Sequence, residues 1–293
     1  MTNRTLKVIC SLKLFEMSEK MFKNYFQTKD IRLFYVRTKL EGKPILLLHG
    51  GISSWEAFVT IIPELEEYGC IYALDLRGHG NSDKNVEKYS LKDYVTDVVQ
   101  FMKETISEPP IIFGHSLGGM IGIQIAAYYP ELVKGLIIGE SPLNLEVLRE
   151  SSKSLEKWQA FKENFKEHKG ELKVGKNKIQ QDKKDSALME FMIKSVLLTD
   201  SNVITAMVDE FEDTFKSYDI HYLLPMIKCP VLILQGNPEL KAIIRDEDVE
   251  TALRLLPHAK HIKLLHAGHT LHIEDKNAVL QAILPFIEKF NGI

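Results

Sequence analysis

Residues Ile111–Gly119 read Ile-Ile-Phe-Gly-His-Ser-Leu-Gly-Gly. A short apolar run, long enough for one buried strand, leads into Gly114-His115-Ser116-Leu117-Gly118. An apolar helical pattern follows from Leu117 to Tyr129 and stops at Pro130. The pentapeptide is a Gly-x-Ser-x-Gly turn in the strand–turn–helix setting that presents a nucleophile. Ser116 must take a strained backbone conformation to push its hydroxyl out at the tip of such a turn. Side chains two positions away on either side would collide, which leaves glycine at 114 and 118. The helix starting at Leu117 points free N–H groups at the reacting centre, where an oxyanion develops. A glycine-rich turn with an incidental serine would explain the pentapeptide, but not the strand and helix that flank it.

A serine hydroxyl is a poor nucleophile until a base takes its proton. The chain has ten histidines, so position must choose among them. His269 sits in Ala267-Gly268-His269-Thr270, just after the last strand-like segment, where a loop can reach back over Ser116. His266, His269 and His272 are spaced by three, a spacing that could suggest a metal site. Their expected setting is a loop and a helix start with no carboxylate or thiolate pattern beside them, so no metal is expected.

The elements that must position these residues alternate along the chain. Tyr25–Thr28 and Ile31–Thr38 read as an antiparallel hairpin, with Asp30 in its turn. Pro44–His49, Cys70–Asp75, Ile111–Gly114, Val133–Gly139, Val231–Gly236 and Ala259–Leu265 read as further strands, several of them continuous apolar runs. Ser90–Thr105, Leu117–Tyr129, Asp246–Leu256 and Asn277–Phe290 read as helices. This is the signature of a mostly parallel sheet covered on both faces. From about Ser141 to Ile227 the alternation stops and polar, Lys/Glu-rich helical segments take over. A structureless loop of that length is not expected in a compact domain, so a helical lid is the economical reading. The expected organisation is an N-terminal extension over 1–20, a core over 21–140 and 228–293, and a cap over 141–227.

Composition excludes several functions. Of 293 residues, 45% are apolar and 26% charged, and the net charge is −3, so no positive field attracts nucleic acid or anionic lipid. Cys10, Cys70 and Cys229 are too few and scattered for a disulfide framework or thiolate metal site. No run approaches the roughly 20 apolar residues needed to span a bilayer. The nearest secretory candidate, Leu6–Phe15, is interrupted by Lys7 and Lys13. A cytoplasmic protein, monomer or homodimer, is expected, with no membrane or nucleic-acid partner.

With these residues in view, the chain resembles the α/β-hydrolase-fold superfamily, as a serine-nucleophile member with a helical lid. The resemblance runs from about Tyr25 to the C-terminus and weakens in the lid. Besides the Ser116 turn, His49-Gly50-Gly51 resembles the family's His-Gly-x oxyanion motif. Asp75-Leu76-Arg77-Gly78-His79-Gly80-Asn81-Ser82 resembles its Asp-x-Arg-Gly-His-Gly-x-Ser loop. The resemblance implies an eight-stranded, mostly parallel sheet with a cap after the sixth strand. It implies His269 as base, and backbone N–H groups of Leu117 and of Gly51, or its neighbour Ile52, as oxyanion donors. His49 and His79 become loop-packing residues. His115 faces away from the nucleophile in such turns and reads as structural, while remaining a candidate for the substrate wall with Ile52.

The acid that orients the imidazole is ambiguous. The family's usual position follows the seventh strand, where Gly236-Asn237-Pro238-Glu239 offers Glu239. Some relatives carry it at the end of the sixth strand, where Glu140 closes an apolar run. A buried Glu140 needs a strong partner whereas an exposed Glu239 needs none; Glu140 is preferred, with Asp246 and Asp248 as outside alternatives.

The expected activity is hydrolysis of a small carboxylic ester, lactone or thioester with no cofactor. Trp158, Phe161 and Phe191 would form an apolar wall, although plain lid core is the more ordinary explanation of each. An epoxide hydrolase or haloalkane dehalogenase would need Asp in place of Ser116. A carbon–carbon bond hydrolase uses the same pair of residues. A slow-turnover ligand sensor acting through a protein partner would also keep both.

Overall fold

The computed structural model describes residues 21–84, 86–154, 156, 157, 159, 160, 163 and 191–291. Eight strands form one sheet in the order β1-β2-β4-β3-β5-β6-β7-β8. The inner strands β3 (Pro44–Leu48), β4 (Cys70–Leu74), β5 (Ile111–His115), β6 (Gly135–Gly139) and β7 (Val231–Gln235) are buried along their full lengths. Their sequences are continuous apolar runs because both faces of a parallel sheet are covered by helices. β8 (Lys260–Lys263) is the parallel edge and is partly exposed. At the other edge β1 (Phe22–Gln27) and β2 (Arg32–Arg37) form the expected antiparallel hairpin, and β2 runs antiparallel to β4.

Alternate side chains of β3 serve different faces. Leu46 and Leu48 join a core with α2 (Leu91–Thr105) and α3 (Leu117–Tyr128), while Ile45 and Leu47 join one with α11 (Lys276–Asn291). α3 is apolar on all sides and buried up to Ala127, as a helix sealed between sheet and neighbours must be. α2 opens with a capping box between Ser90 and Asp93, which fixes its start where the sequence places it.

Several boundaries differ from expectation for local reasons. β6 begins at Gly135 rather than Val133, because Pro130–Leu132 form a 3₁₀ turn first. β1 begins three residues earlier than its pattern, since a mostly exposed edge strand has no apolar alternation to mark it. A short helix, α1 (Ile62–Glu66), starts at a proline-bearing first turn that gave no periodic signal. Between β6 and β7 the described residues contain helices and no strand: α4 (Leu145–Ser152), α5 (Phe191–Leu197), α6 (Ser201–Val208), α7 (Phe211–Phe215) and α8 (Ile220–Leu223). Trp158, Phe161 and residues 1–20 lie outside the described residues. Among the described residues, no single helix is long and apolar enough to cross a membrane.

The loop after β4 ties the C-terminal ends of the strands together. Asp75 accepts the N–H of Trp55 and of Asn81, each at 2.8 Å, joining the loop after β3 to its own. His49 Nε2 accepts the Leu76 N–H at 3.0 Å, and its Nδ1–H donates to the Gly50 carbonyl. Arg77 is buried in a bidentate pair with Asp97 of α2, at 2.7 and 2.8 Å. Gly80 has φ +51°, and a Cβ there would lie 2.1 Å from Asp75 Oδ2.

Two outcomes follow from this knot. Gly80→Ala adds both a steric collision and a left-handed alanine; we expect a loss of about 3 kcal/mol in urea unfolding. Burial pushes the Asp75 carboxyl up to about 6, against the pull of its two backbone donors. The folded state therefore binds an extra proton between about pH 4 and pH 6. This group's contribution is most favourable below that window, declines as pH rises through it by about 3 kcal/mol, and is flat above. Unfolding free energies of wild type minus Asp75→Asn, measured across pH 4 to 7, should fall with that profile; a rising difference contradicts it.

Candidate active site

β5 ends at His115 and α3 begins at Leu117, leaving Ser116 alone in the turn at φ 50°, ψ −117°. This is the strained conformation the turn demands, and neighbouring strands over-determine it. Ser116 N–H donates to the Gly139 carbonyl at 3.0 Å, and its carbonyl accepts the Gly119 N–H and the Ser141 hydroxyl. A Cβ at position 118 would lie 2.0 Å from the Leu48 carbonyl oxygen, and one at 114 only 2.3 Å from that of Gly118. Backbone approaches backbone at both points, so glycine is obligatory. Leu117 is buried and contributes the first N–H of α3, where no intrahelical acceptor exists.

His269 stands on the loop between β8 and α10 (Leu271–Glu274). Its Nδ1–H donates to Glu140 Oε2 at 3.1 Å, which leaves the lone pair of the neutral ring on Nε2. Glu140 follows β6 at φ 47° and has no exposure to solvent. Besides the imidazole it accepts three backbone N–H groups from the chain after β7: Gly236 at 3.0 Å, Ile243 at 2.8 Å and Ile244 at 3.4 Å. These donors offset the cost of a buried carboxylate. Of the two acids weighed from the sequence, Glu140 is the one brought to His269. Glu239 instead lies exposed on the 3₁₀ turn Pro238–Leu240, with its N–H on the Asn237 side chain. Asp246 pairs with Lys263, and Asp248 caps α9 (Asp246–Leu255) by accepting the Arg245 N–H.

Ser116 and His269 face one cavity of about 230 Å³, together with Gly51, Ile52, Phe191 and Met207. Ile52, a β-branched residue, is held at φ 51°, a costly conformation on the wall of this cavity. His115 also lines the cavity, and its Nε2–H donates to the backbone carbonyl of His269 at 2.7 Å. Burial, with His272 and His269 nearby, holds the His115 imidazole well below its ordinary range. His272 is buried against Phe58 and is pushed down to about 3 by desolvation, with His269 adding to the effect. His266 is exposed, so the three histidines spaced by three sit in different surroundings. Among the described residues no group of three or more His, Cys, Asp or Glu side chains is placed to hold a metal ion.

Two contacts had no marker in the sequence. Glu274 accepts the N–H of Gly268 at 2.7 Å and of Thr270 at 2.9 Å, bracketing His269 on both sides. Met207, on α6, packs against Gly51 across more than 150 positions of sequence. The glutamate acts on backbone N–H groups and the methionine arrives through helix placement, so no motif or spacing marks either one. In chemical terms the cavity is lined by a hydroxyl on a strained turn, an imidazole fixed at one nitrogen by a carboxylate, and the backbone of Gly50 and Gly51.

The chain matches the family model of the alpha/beta hydrolase fold over residues 43–276. A Haemophilus influenzae relative whose name places it among esterases and lipases is 25% identical over 259 residues, covering 87% of this chain and 86% of that one. Human epoxide hydrolase 4 is 35% identical over 123 residues, 40% of this chain; the match spans only 34% of that protein's length. Among solved structures, a thermophilic esterase from Thermogutta terrifontis (malate bound) superposes with a TM-score of 0.69 at 21% identity, covering 92% of this chain and 98% of that one. The family model spans most of the chain and covers both strand ends that carry Ser116 and Glu140, as well as the loop of His269: the protein belongs to the α/β-hydrolase-fold family and is a hydrolase.

Proposed function

We propose that this hydrolase cleaves a small carboxylic ester, lactone or thioester through an acyl-enzyme on Ser116. The observation that carries the reading is the 3.1 Å contact of His269 with buried Glu140, beside a cavity that Ser116 also lines. In this scheme His269 Nε2 takes the Ser116 proton as the oxygen attacks the carbonyl carbon, and Glu140 stabilises the imidazolium that results. The tetrahedral oxyanion rests on the N–H groups of Leu117 and Gly51, each such donor being worth roughly 100- to 1000-fold in rate. The imidazolium returns its proton to the leaving alcohol or thiol, and the acyl group stays on Ser116. Water, deprotonated by His269, then adds to the acyl carbon and expels Ser116. The helices between β6 and β7 act as the cap over this cavity, with Phe191 on its apolar wall.

Serine at position 116 argues against an epoxide hydrolase route. Ring opening by a hydroxyl would leave an alkyl ether, and an ether has no carbonyl carbon for the second water to attack. A slow-turnover sensor remains chemically compatible with the same residues, and turnover number separates it from an enzyme.

Ser116→Ala and His269→Ala should each lower the turnover of short p-nitrophenyl esters by about 1000-fold or more while circular dichroism stays native. A fluorophosphonate should label Ser116, read by mass spectrometry of the digested adduct. One stoichiometric burst without further turnover would instead favour the sensor. Compared side by side, Glu140→Gln should cut kcat by about 100-fold or more, because an amide cannot stabilise the imidazolium and presents N–H where backbone donors converge. Glu239→Gln should leave kcat within about twofold of wild type, as expected for an exposed turn residue. Equal effects would displace Glu140 from the role given to it.

A further inference from the structure

We propose that Met207 is the gauge that limits this hydrolase to esters of short acyl groups. The inference rests on the serine-hydrolase reading above and adds to it the size of the substrate. Gly51 forms the cavity wall beside Ser116, and the space next to its α-carbon is already occupied. A Cβ built there would lie 3.0 Å from Met207 Cε and 3.1 Å from its Sδ. Met207 is only 9% exposed, so the thioether is packed in place rather than swinging in solvent.

Its position is fixed from both ends of α6. At the N-terminal end Asp200 N–H donates to the Gly78 carbonyl at 2.7 Å, and the Tyr89 hydroxyl donates to Asp200 Oδ2 at 2.7 Å. Asp200 Oδ1 also caps the helix by accepting the Asn202 N–H. At the other end the Thr214 hydroxyl donates to the Ala206 carbonyl at 2.6 Å, locking α6 to α7. Gly78 belongs to the loop that Asp75 binds to the segment after Gly51. The thioether and the glycine it covers are thus referenced to one knot of hydrogen bonds.

The chemistry decides which part of the substrate meets Met207. Protonation by His269 draws the leaving oxygen toward the imidazole, and the carbonyl oxygen goes to the amides of Gly51 and Leu117. The acyl substituent is the group left to face the methionine. The cavity of about 230 Å³ is smaller than the roughly 300 Å³ at which drug-sized ligand sites begin, consistent with a short chain.

The test is a series of p-nitrophenyl esters from acetate to octanoate, compared between wild type, Met207→Ala and Met207→Leu. Wild type should prefer the short end. Met207→Ala loses Cγ, Sδ and Cε, and its octanoate-to-acetate ratio of kcat/KM should rise by about tenfold or more. Met207→Leu, close in volume, should keep the wild-type ratio within about threefold. Asp200→Asn, which weakens the anchor without touching the cavity, should raise the ratio in the same direction and serves if the alanine variant fails to fold. An unmoved ratio in the folded variants overturns the gauge while leaving the serine-hydrolase reading intact. So does a wild type that already prefers octanoate, or a ratio that responds only to alcohol length in alkyl acetates. A wild type that turns over no ester and takes no fluorophosphonate on Ser116 overturns the serine-hydrolase reading, and the gauge with it.

Discussion

A carboxylate with no exposure to water, placed at the end of an apolar strand, constrains everything around it. Glu140 satisfies that position by accepting three backbone N–H groups from the chain after β7 and one from His269. Removing any of these donors leaves charge uncompensated in a low-dielectric site, so the loop and the imidazole are held by the same residue. The arrangement explains why 236–244 can carry an exposed Glu239 with no partner of consequence. That segment's contribution is its amides, turned inward onto Glu140, rather than its own acid.

Strain collects at the same level of the fold. Ser116, Glu140 and Ile52 are each non-glycine residues at positive φ, and they follow β5, β6 and β3 respectively. Each conformation costs on the order of 1 to 3 kcal/mol and survives only where surrounding structure over-determines it. At Ser116 the determinants are backbone contacts at Gly114 and Gly118; at Glu140 they are the four donors. Parallel strands bring these strained residues together at the carboxyl ends of the central strands, where ligands of open α/β sheets bind. Strand topology thus converts scattered sequence positions into one cavity.

The strands and the Ser116 turn were legible because each has a local signature. Buried parallel strands are continuous apolar runs, and the turn needs two glycines at fixed offsets. His269 was legible only through its place after the last strand. The acid was half legible: two glutamates stood after strand ends, Glu140 was preferred only narrowly over Glu239, and the outcome depended on which one the β7 loop would wrap. That is a tertiary fact, carried by amides with no side-chain identity to read. Glu274 and Met207 were illegible for related reasons. One acts on backbone N–H groups, and the other meets Gly51 through helix placement that no spacing records. The edge strand β1 was misjudged because it buries no alternating stripe, and the five-residue α1 went unmarked because Ile62 and Leu65, though buried, are too few to show a period.

The neutral histidines behind His269 complete the electrostatics of the proposed reaction. His115 and His272 both have imidazoles held low by burial, so at neutral pH neither carries charge. In that scheme a positive charge develops on His269 during proton transfer, and a second cation at ring-contact distance would oppose it. The ring centroids of His115 and His269 are 4.9 Å apart. At that separation a charged His115 would cost His269 several kcal/mol at the effective dielectric of a partly buried site, about the worth of an oxyanion donor. Desolvation removes the cost while keeping the benefit: the neutral His115 still donates Nε2–H to the His269 carbonyl and holds the loop. In the proposed reaction, burial of an imidazole is therefore the condition under which it can brace His269 without repelling the charge that develops there.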